Sequence, residues 1–377
     1  MADPDLPELD ALDGVPHPRE AHQVIGHDKA EEALLEALAS DRLHHAWMLS
    51  GPQGIGKASF AWRAARYLLT TSPNTEDSLF GASPPPVSLD TDPEAPEVRR
   101  ILIGTDQRLF VLRRGYDEKT KRPRKDITVE DARKLKSFFG MSIPDGGRRV
   151  VIVDAADDMN RAAANALLKA LEEPPEKTVF FLITHQPARL LPTIRSRCRV
   201  LRFTPLSAPD LIAALGQIDG TDLPADQQKA LFQLSDGSVR TALMLNNNGG
   251  TALYAQIVDL LDTLPKLDRS KAMALSALPT GTAGVDRLNM LITLAERALG
   301  QVARQAALGR ALPESVPGEA ALRARLAPSQ QSAQHWADAA TSLPEQVRKG
   351  AALNLDPSVL LLDMFQQLQA TARQAAP

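Results

Sequence analysis

Residues 51–59, GPQGIGKAS, constrain this chain more tightly than any other stretch. Gly51, Gly56 and Lys57 fit the phosphate-binding pattern G-x-x-x-x-G-K-[ST], and Gly54 adds a third glycine to the loop. The stretch follows a short apolar run, AWMLS, and opens a helical one, KASFAWRAARYLLT. A loop between strand and helix is the context such a pattern requires, because backbone N–H groups must meet phosphate at a helix N-terminus. The last position departs: Ala58 stands where Ser or Thr would offer a hydroxyl to Mg²⁺. Ser59 has a hydroxyl but lies one residue late, about 100° around the helix. A glycine-rich turn that merely caps a helix is the plainer alternative.

The surroundings favour a layered α/β domain. VVIVDA reads as a buried strand with an acidic end, TVFFLIT as a fully apolar strand and RVLRF as a further one. Between them RAAANALLKALEEPP has an apolar stripe of Ala163, Ala166, Leu167, Ala170 and Leu171, and Pro174 and Pro175 end it. TVEDARKLKSFFG reads as a helix starting near Thr128 and Asp131, and LLPTIRSRC as a short one. Strand and helix alternate from about 46 to 204, which predicts a mostly parallel sheet. RLFVLRRGYDEKTKRPRKDITV reads as two strands joined by a basic turn. Beyond 205 only helical patterns remain. Aromatics make up 4% of the chain, so the cores are expected to be aliphatic. The expected organisation is an arm at 1–21, an α/β domain at 22–204, a small helical lid at 205–247 with NNNGG as a linker, and a larger helical domain at 250–377. Residues 71–98 are proline-rich and read as a surface insertion within that α/β domain.

Composition excludes several classes. A single cysteine permits no intramolecular disulfide and no thiolate zinc cluster, and fits a reducing cytoplasm. A net charge of −3 does not mark a general nucleic-acid binder. The acidic opening MADPDLPELDALDG has neither a basic region nor an apolar core, so no signal or transit peptide is expected. No run of 18 apolar residues predicts a membrane span.

The chemistry-bearing residues form a damaged set. Asp154 ends VVIVD, where it could hold Mg²⁺ through water, but Ala155 occupies the place of the carboxylate that orients attacking water. Asp157 reads as a cap for the next helix. Loss of the metal hydroxyl and of the general base in one site points to a protein that no longer hydrolyses nucleotide. Whether it still binds ATP or ADP is left open. Arg195, Arg197 and Arg199 form either a solvated patch or an arginine finger, since guanidinium binds phosphate through a fork. Arg240 is either a surface charge or a reach toward a nucleotide. Arg113, Arg114, Lys119, Lys121, Arg122, Arg124 and Lys125 form a solvated face or a DNA-phosphate contact. The histidines show no metal spacing, and His44–His45 reads as a helix-end feature.

The run AAANALLKALEEPP, TVFFLIT and LLPTIRSRC, with GSVRTAL further on, resembles bacterial clamp-loader subunits of the AAA+ class over about 22–245. The resemblance implies an AAA+ P-loop sheet domain, a lid, and a helical collar that joins subunits in a ring. It implies Arg197 of SRC as a finger aimed at ATP on an adjacent gamma/tau subunit, Thr184 as sensor 1 and Arg240 as sensor 2. Gly51, Gly54, Gly56, Lys57, Asp154, Thr184 and Arg240 would form a degenerate nucleotide site. The implied role is a non-hydrolysing, stator-like subunit that needs no cofactor. Its partners would be gamma/tau and delta and, through the complex, the sliding clamp and primed DNA, with no membrane. Many relatives carry a four-cysteine zinc module in the insertion; 71–104 has no cysteine here, so no zinc is expected. The alternatives are an active gamma/tau-type ATPase that tolerates Ala58, and a DNA-binding module working through 113–125.

Overall fold

Alternation of apolar strand and amphipathic helix builds the first part of the chain in the computed structural model, which describes residues 12, 15–40, 42–71, 86–117, 119–120, 122–143, 147–218 and 223–375. Two compact units result: Met1–Asp222 with Gly237–Arg240, and Leu223–Asp236 with Thr241–Pro377. The segment 205–247, expected as a small lid, is shared between them.

In the first unit, strands β1 (Ala46–Ser50), β2 (Leu109–Arg113), β3 (Arg149–Asp154), β4 (Thr178–Thr184) and β5 (Arg199–Arg202) form one sheet in the order β2-β3-β4-β1-β5. Every pairing is parallel. The helices are α1 (Asp28–Ala39), α2 (Lys57–Thr70), α3 (Pro96–Leu102), α4 (Val129–Gly140), α5 (Arg161–Glu172), α6 (Pro192–Arg195) and α7 (Ala208–Leu215). Successive strand residues point to opposite faces. Trp47, Leu49, Ile152, Phe181 and Ile183 therefore pack with α1 and α2 on one side. Met48, Val151, Val153, Phe180 and Leu182 pack with α4 and α5 on the other. With both faces covered, the central strands must be apolar throughout, which is why β4 has no alternation to read.

Several expectations are corrected here. The basic hairpin is not a strand pair. β2 joins the sheet beside β3, and among the described residues the return makes one antiparallel bridge, Tyr116 with Pro123. Proline has no N–H to extend a ladder; Lys121 lies outside the described residues. The insertion is not structureless throughout: α3 starts at Pro96, whose fixed φ suits a first helical turn. Leu89 is fully buried, and Asp90 pairs with Arg63 on α2 at 2.7 Å. Residues 72–85 lie outside the described residues. The arm, outside the description for 1–11, 13 and 14, is docked at its end. Buried Arg66 on α2 donates to the carbonyls of Arg19 and Ala21, because a buried guanidinium needs acceptors. His44 and His45 stack before β1 and not at a helix end; α1 has already stopped at Ala39.

The second unit holds α8 (Ala225–Ser235), most of α9 (Val239–Asn247), α10 (Gly250–Asp262), α11 (Arg269–Ser276), α12 (Thr282–Leu308), α13 (Glu319–Leu326), α14 (Gln330–Ala352) and α15 (Pro357–Ala375). Its core is aliphatic, as expected, around Leu291, Leu299 and Leu361 with Trp336 and Phe365. The presumed linker 246–250 is a tight turn, and Gly250 is buried against Leu245. A polar cluster sits within this core. Glu319 and Arg323, both 2% exposed, pair at 2.8 Å. Tyr254 donates its hydroxyl to Glu319, and Arg323 donates to Gln305 and to the carbonyls of Leu312 and Pro313. Among the described residues, no helix is long and apolar enough to cross a membrane.

Candidate functional site: a phosphate loop with displaced chemistry

Sheet topology puts the glycine loop where ligands bind in open α/β sheets. From β1 the chain passes toward β2 and β3; from β4 it crosses to β5 on the other side of β1. The carboxyl ends of β1 and β4 thus flank a switch point. Ser50 pairs with Thr184 there, and the Gly51 N–H donates to the Thr184 carbonyl at 3.3 Å. Asp154 ends β3 one residue beyond the Val153–Leu182 pair.

The loop between β1 and α2 is held from outside at each successive carbonyl. Lys57 Nζ donates to the Gly51 carbonyl at 2.6 Å and to that of Pro52. Ser238 Oγ donates to Gln53 O at 3.0 Å and the Arg240 N–H to Gly54 O at 3.1 Å. His27 Nε2 lies 2.6 Å from Ile55 O. Two glycines are there by necessity. A Cβ at Gly51 would come within 2.3 Å of the Phe203 carbonyl oxygen. At Gly54, with φ of +77°, it would lie 2.5 Å from Arg240 Cβ. Gly56 caps α2 with φ of 103° and no side-chain cap. The first-turn N–H groups of α2 have no intrahelical partner, which is the donor set a phosphate uses.

What surrounds that donor set differs from a metal-assisted site. Ala58 packs on the apolar cluster beneath the loop, and Ala155 is 5% exposed. Lys57 is 3% exposed. Burial pulls its amine down to about 8, against the opposing pull of Asp154 and Asp157. The backbone therefore fits a phosphate group, while position 58 offers no oxygen to its metal.

Asp157 does not cap a helix. It sits in a 3₁₀ turn, Ala156–Asp158, and accepts from the Thr184 hydroxyl, from His185 N at 2.5 Å and from Gln186 N at 3.1 Å. The end of β4 offers three donors and wins the carboxylate. The α5 cap is Asn160, whose side chain accepts from Ala163 N at 2.8 Å. Thr184, fully buried, thus spends its proton on Asp157. Burial, with help from Lys57 and Arg240 and against Asp157, pulls the His185 imidazole down to about 4.

Lys57, Asp154, Asp157, His185 and Arg240 are therefore electrostatically one cluster, joined to Thr184 by hydrogen bond. Arg197 belongs to a different set of contacts. It follows α6, donates Nη1 to Thr193 O at 3.0 Å and pairs with Glu172 at 2.8 Å. Arg199 lies 5.0 Å over the Trp47 ring. Burial pushes the Cys198 thiol up to about 12, which makes it unreactive. Of the basic run, Arg114 pairs with Asp158 and Arg124 with Asp131, so part of its charge is already neutralised. The motif reading missed His27, Glu172, His185 and Ser238, and gave Asp157 a different role. Only the His of GHDKA, one residue ahead of α1, had a local signal.

A parallel sheet with a glycine loop at its switch point, facing an acidic strand end, defines a P-loop α/β protein. The family described as "DNA polymerase III, delta subunit" matches residues 26–207. "DNA polymerase III subunit delta'" of Pseudomonas aeruginosa is 38% identical over 63% of this chain and 66% of its own length. That of Yersinia pestis is 32% identical over 62% and 67%. "DNA polymerase III subunit tau" of Salmonella typhimurium is 31% identical over 68% of this chain but 38% of its own. The chain spans about two thirds of the two delta-prime relatives and much less of tau. The chain belongs to the delta-prime family of DNA polymerase III subunits.

Proposed function

We propose that this chain is a non-hydrolysing subunit of the DNA polymerase III clamp loader that supplies Arg197 to ATP held by a neighbouring gamma/tau subunit. One observation carries the reading: methyl groups replace the metal hydroxyl at Ala58, in the first turn of α2, and the general base at Ala155, just past β3, while the glycine loop keeps its phosphate-binding glycines. Drift of a working ATPase would more often touch one such group. Lys57 turned onto the loop carbonyls agrees with this. When bound, ATP supplies the phosphoryl chemistry on the partner; this chain contributes charge. A guanidinium is always protonated and stabilises the equatorial oxygens of a transferring phosphoryl group. The role needs no zinc and no nucleotide of its own, although ATP or ADP phosphates would find donors at the start of α2. Delta, the sliding clamp and primed DNA are met through the assembled ring, with the helices of 250–377 as collar.

The test is reconstitution with gamma/tau and delta, with DNA-stimulated ATPase as readout. Arg197→Ala leaves assembly intact and lowers hydrolysis at the adjacent site by about 10³-fold. Unchanged turnover at that site would make Arg197 a surface charge. Turnover by the isolated chain that disappears with Lys57→Ala would favour the ATPase alternative instead.

A further inference from the structure

We propose that Glu172 is a positioning residue for Arg197, holding its guanidinium in the plane from which it reaches a neighbour's phosphate. The proposal rests on the finger reading above. Glu172 is the last residue of α5, held there by the Pro174–Pro175 stop. A carboxylate at a helix C-terminus faces the negative end of the helix dipole, so α5 gains nothing from it locally. Its partner explains it: Oε1 accepts from Arg197 Nη2 at 2.8 Å. From the other side the Thr193 carbonyl accepts Nη1 at 3.0 Å, and the same oxygen takes the Ser196 hydroxyl at 3.1 Å.

Two acceptors on two elements fix a planar fork that would otherwise sample many rotamers. Arginine has five N–H donors. Two are used, and among the described residues the other three have no partner. The side chain is 36% exposed, so a neighbour can approach it. Orientation before the encounter lowers the cost of contact in the transition state. Glu172 is 42% exposed, so the pair adds little to folding and its loss is readable in function.

The experiment uses the full chain reconstituted with gamma/tau and delta, ATP and primed DNA. Glu172→Gln keeps the shape and removes the charge. Its expected effect is a fall in kcat of about three- to tenfold with KM unchanged, since a charge-assisted bond to the finger is lost. Glu172→Asp restores part of it. On an Arg197→Ala background Glu172→Gln changes nothing further, and the melting temperature of the chain stays at the wild-type value. Three results overturn the proposal: wild-type kcat in Glu172→Gln; a raised kcat, which would mean Glu172 restrains the finger; or an equal loss with and without Arg197. If Arg197→Ala alone leaves turnover unchanged, the finger reading itself has failed.

Discussion

At the scale of single residues, the site is decided by who receives each proton. Asp157 takes the Thr184 hydroxyl and two backbone N–H groups, so the end of β4 is fixed by a carboxylate 27 residues upstream. His185 next to it is kept neutral by burial and by the positive charges of Lys57 and Arg240. Its pKa is depressed in the fold, from 6.5 to about 4. Between those values the unfolded chain binds a proton that the folded chain refuses. The stabilisation tied to neutral His185 is thus present above about pH 6.5 and fades as pH falls toward 4. A His185→Gln variant should therefore lose less stability than wild type across that window. Denaturant midpoints at pH 7, 5.5 and 4.5 would show it, and parallel losses in the two proteins would count against the assignment. The same habit explains what the motif could not say. Lys57 and Arg197 were legible because patterns name them. Their partners were not: Ser238 lies 185 residues from Gln53, and His27 28 residues from Ile55. A pairing across such distances exists only after the sheet has formed.

At the scale of elements, legibility followed burial and caps. β1, β3 and β4 are continuous apolar runs, and α4 and α5 are amphipathic, so all five could be placed from the chain. Elements that borrow stability from contact were harder to read. α3 hides in a proline-rich stretch and is held by burial of Val98 and Ile101. The 113–125 turn has basic residues that suggest a ligand, yet local carboxylates take part of that charge. Caps decide boundaries, and Asn160 was overlooked because Asp157 was read as the cap. Asn160→Ala should destabilise the fold by about 1 kcal/mol, within a range of about 0.5–2, because Ala163 N loses its acceptor. Chemical denaturation measures this directly; a cost near zero would mean that solvent replaces the cap. Asp157→Ala is not an equivalent change, since its carboxylate serves β4.

At the scale of the whole chain, each unit has its own source of cohesion. The first depends on a sheet covered on both faces. The second has a polar cluster inside an aliphatic core, and removal of one partner leaves a buried charge. Glu319→Gln should cost about 3–5 kcal/mol, because Arg323 stays 2% exposed without its carboxylate. Hydrogen exchange would place the loss in the helices around α12 and α13, with the strands at 46–202 protected as before. Loss spread evenly over both units would contradict that assignment. The path of the backbone adds a constraint of another kind. The chain leaves the first unit at 222, returns for Gly237–Arg240 and leaves again. Those four residues supply the Ser238 and Arg240 donors that hold the glycine loop. A hybrid gene spliced once at 222 would take its loop from one parent and the brace for that loop from the other. For exchange of parts between relatives, the heritable module is therefore discontinuous, and a workable crossover lies after residue 240.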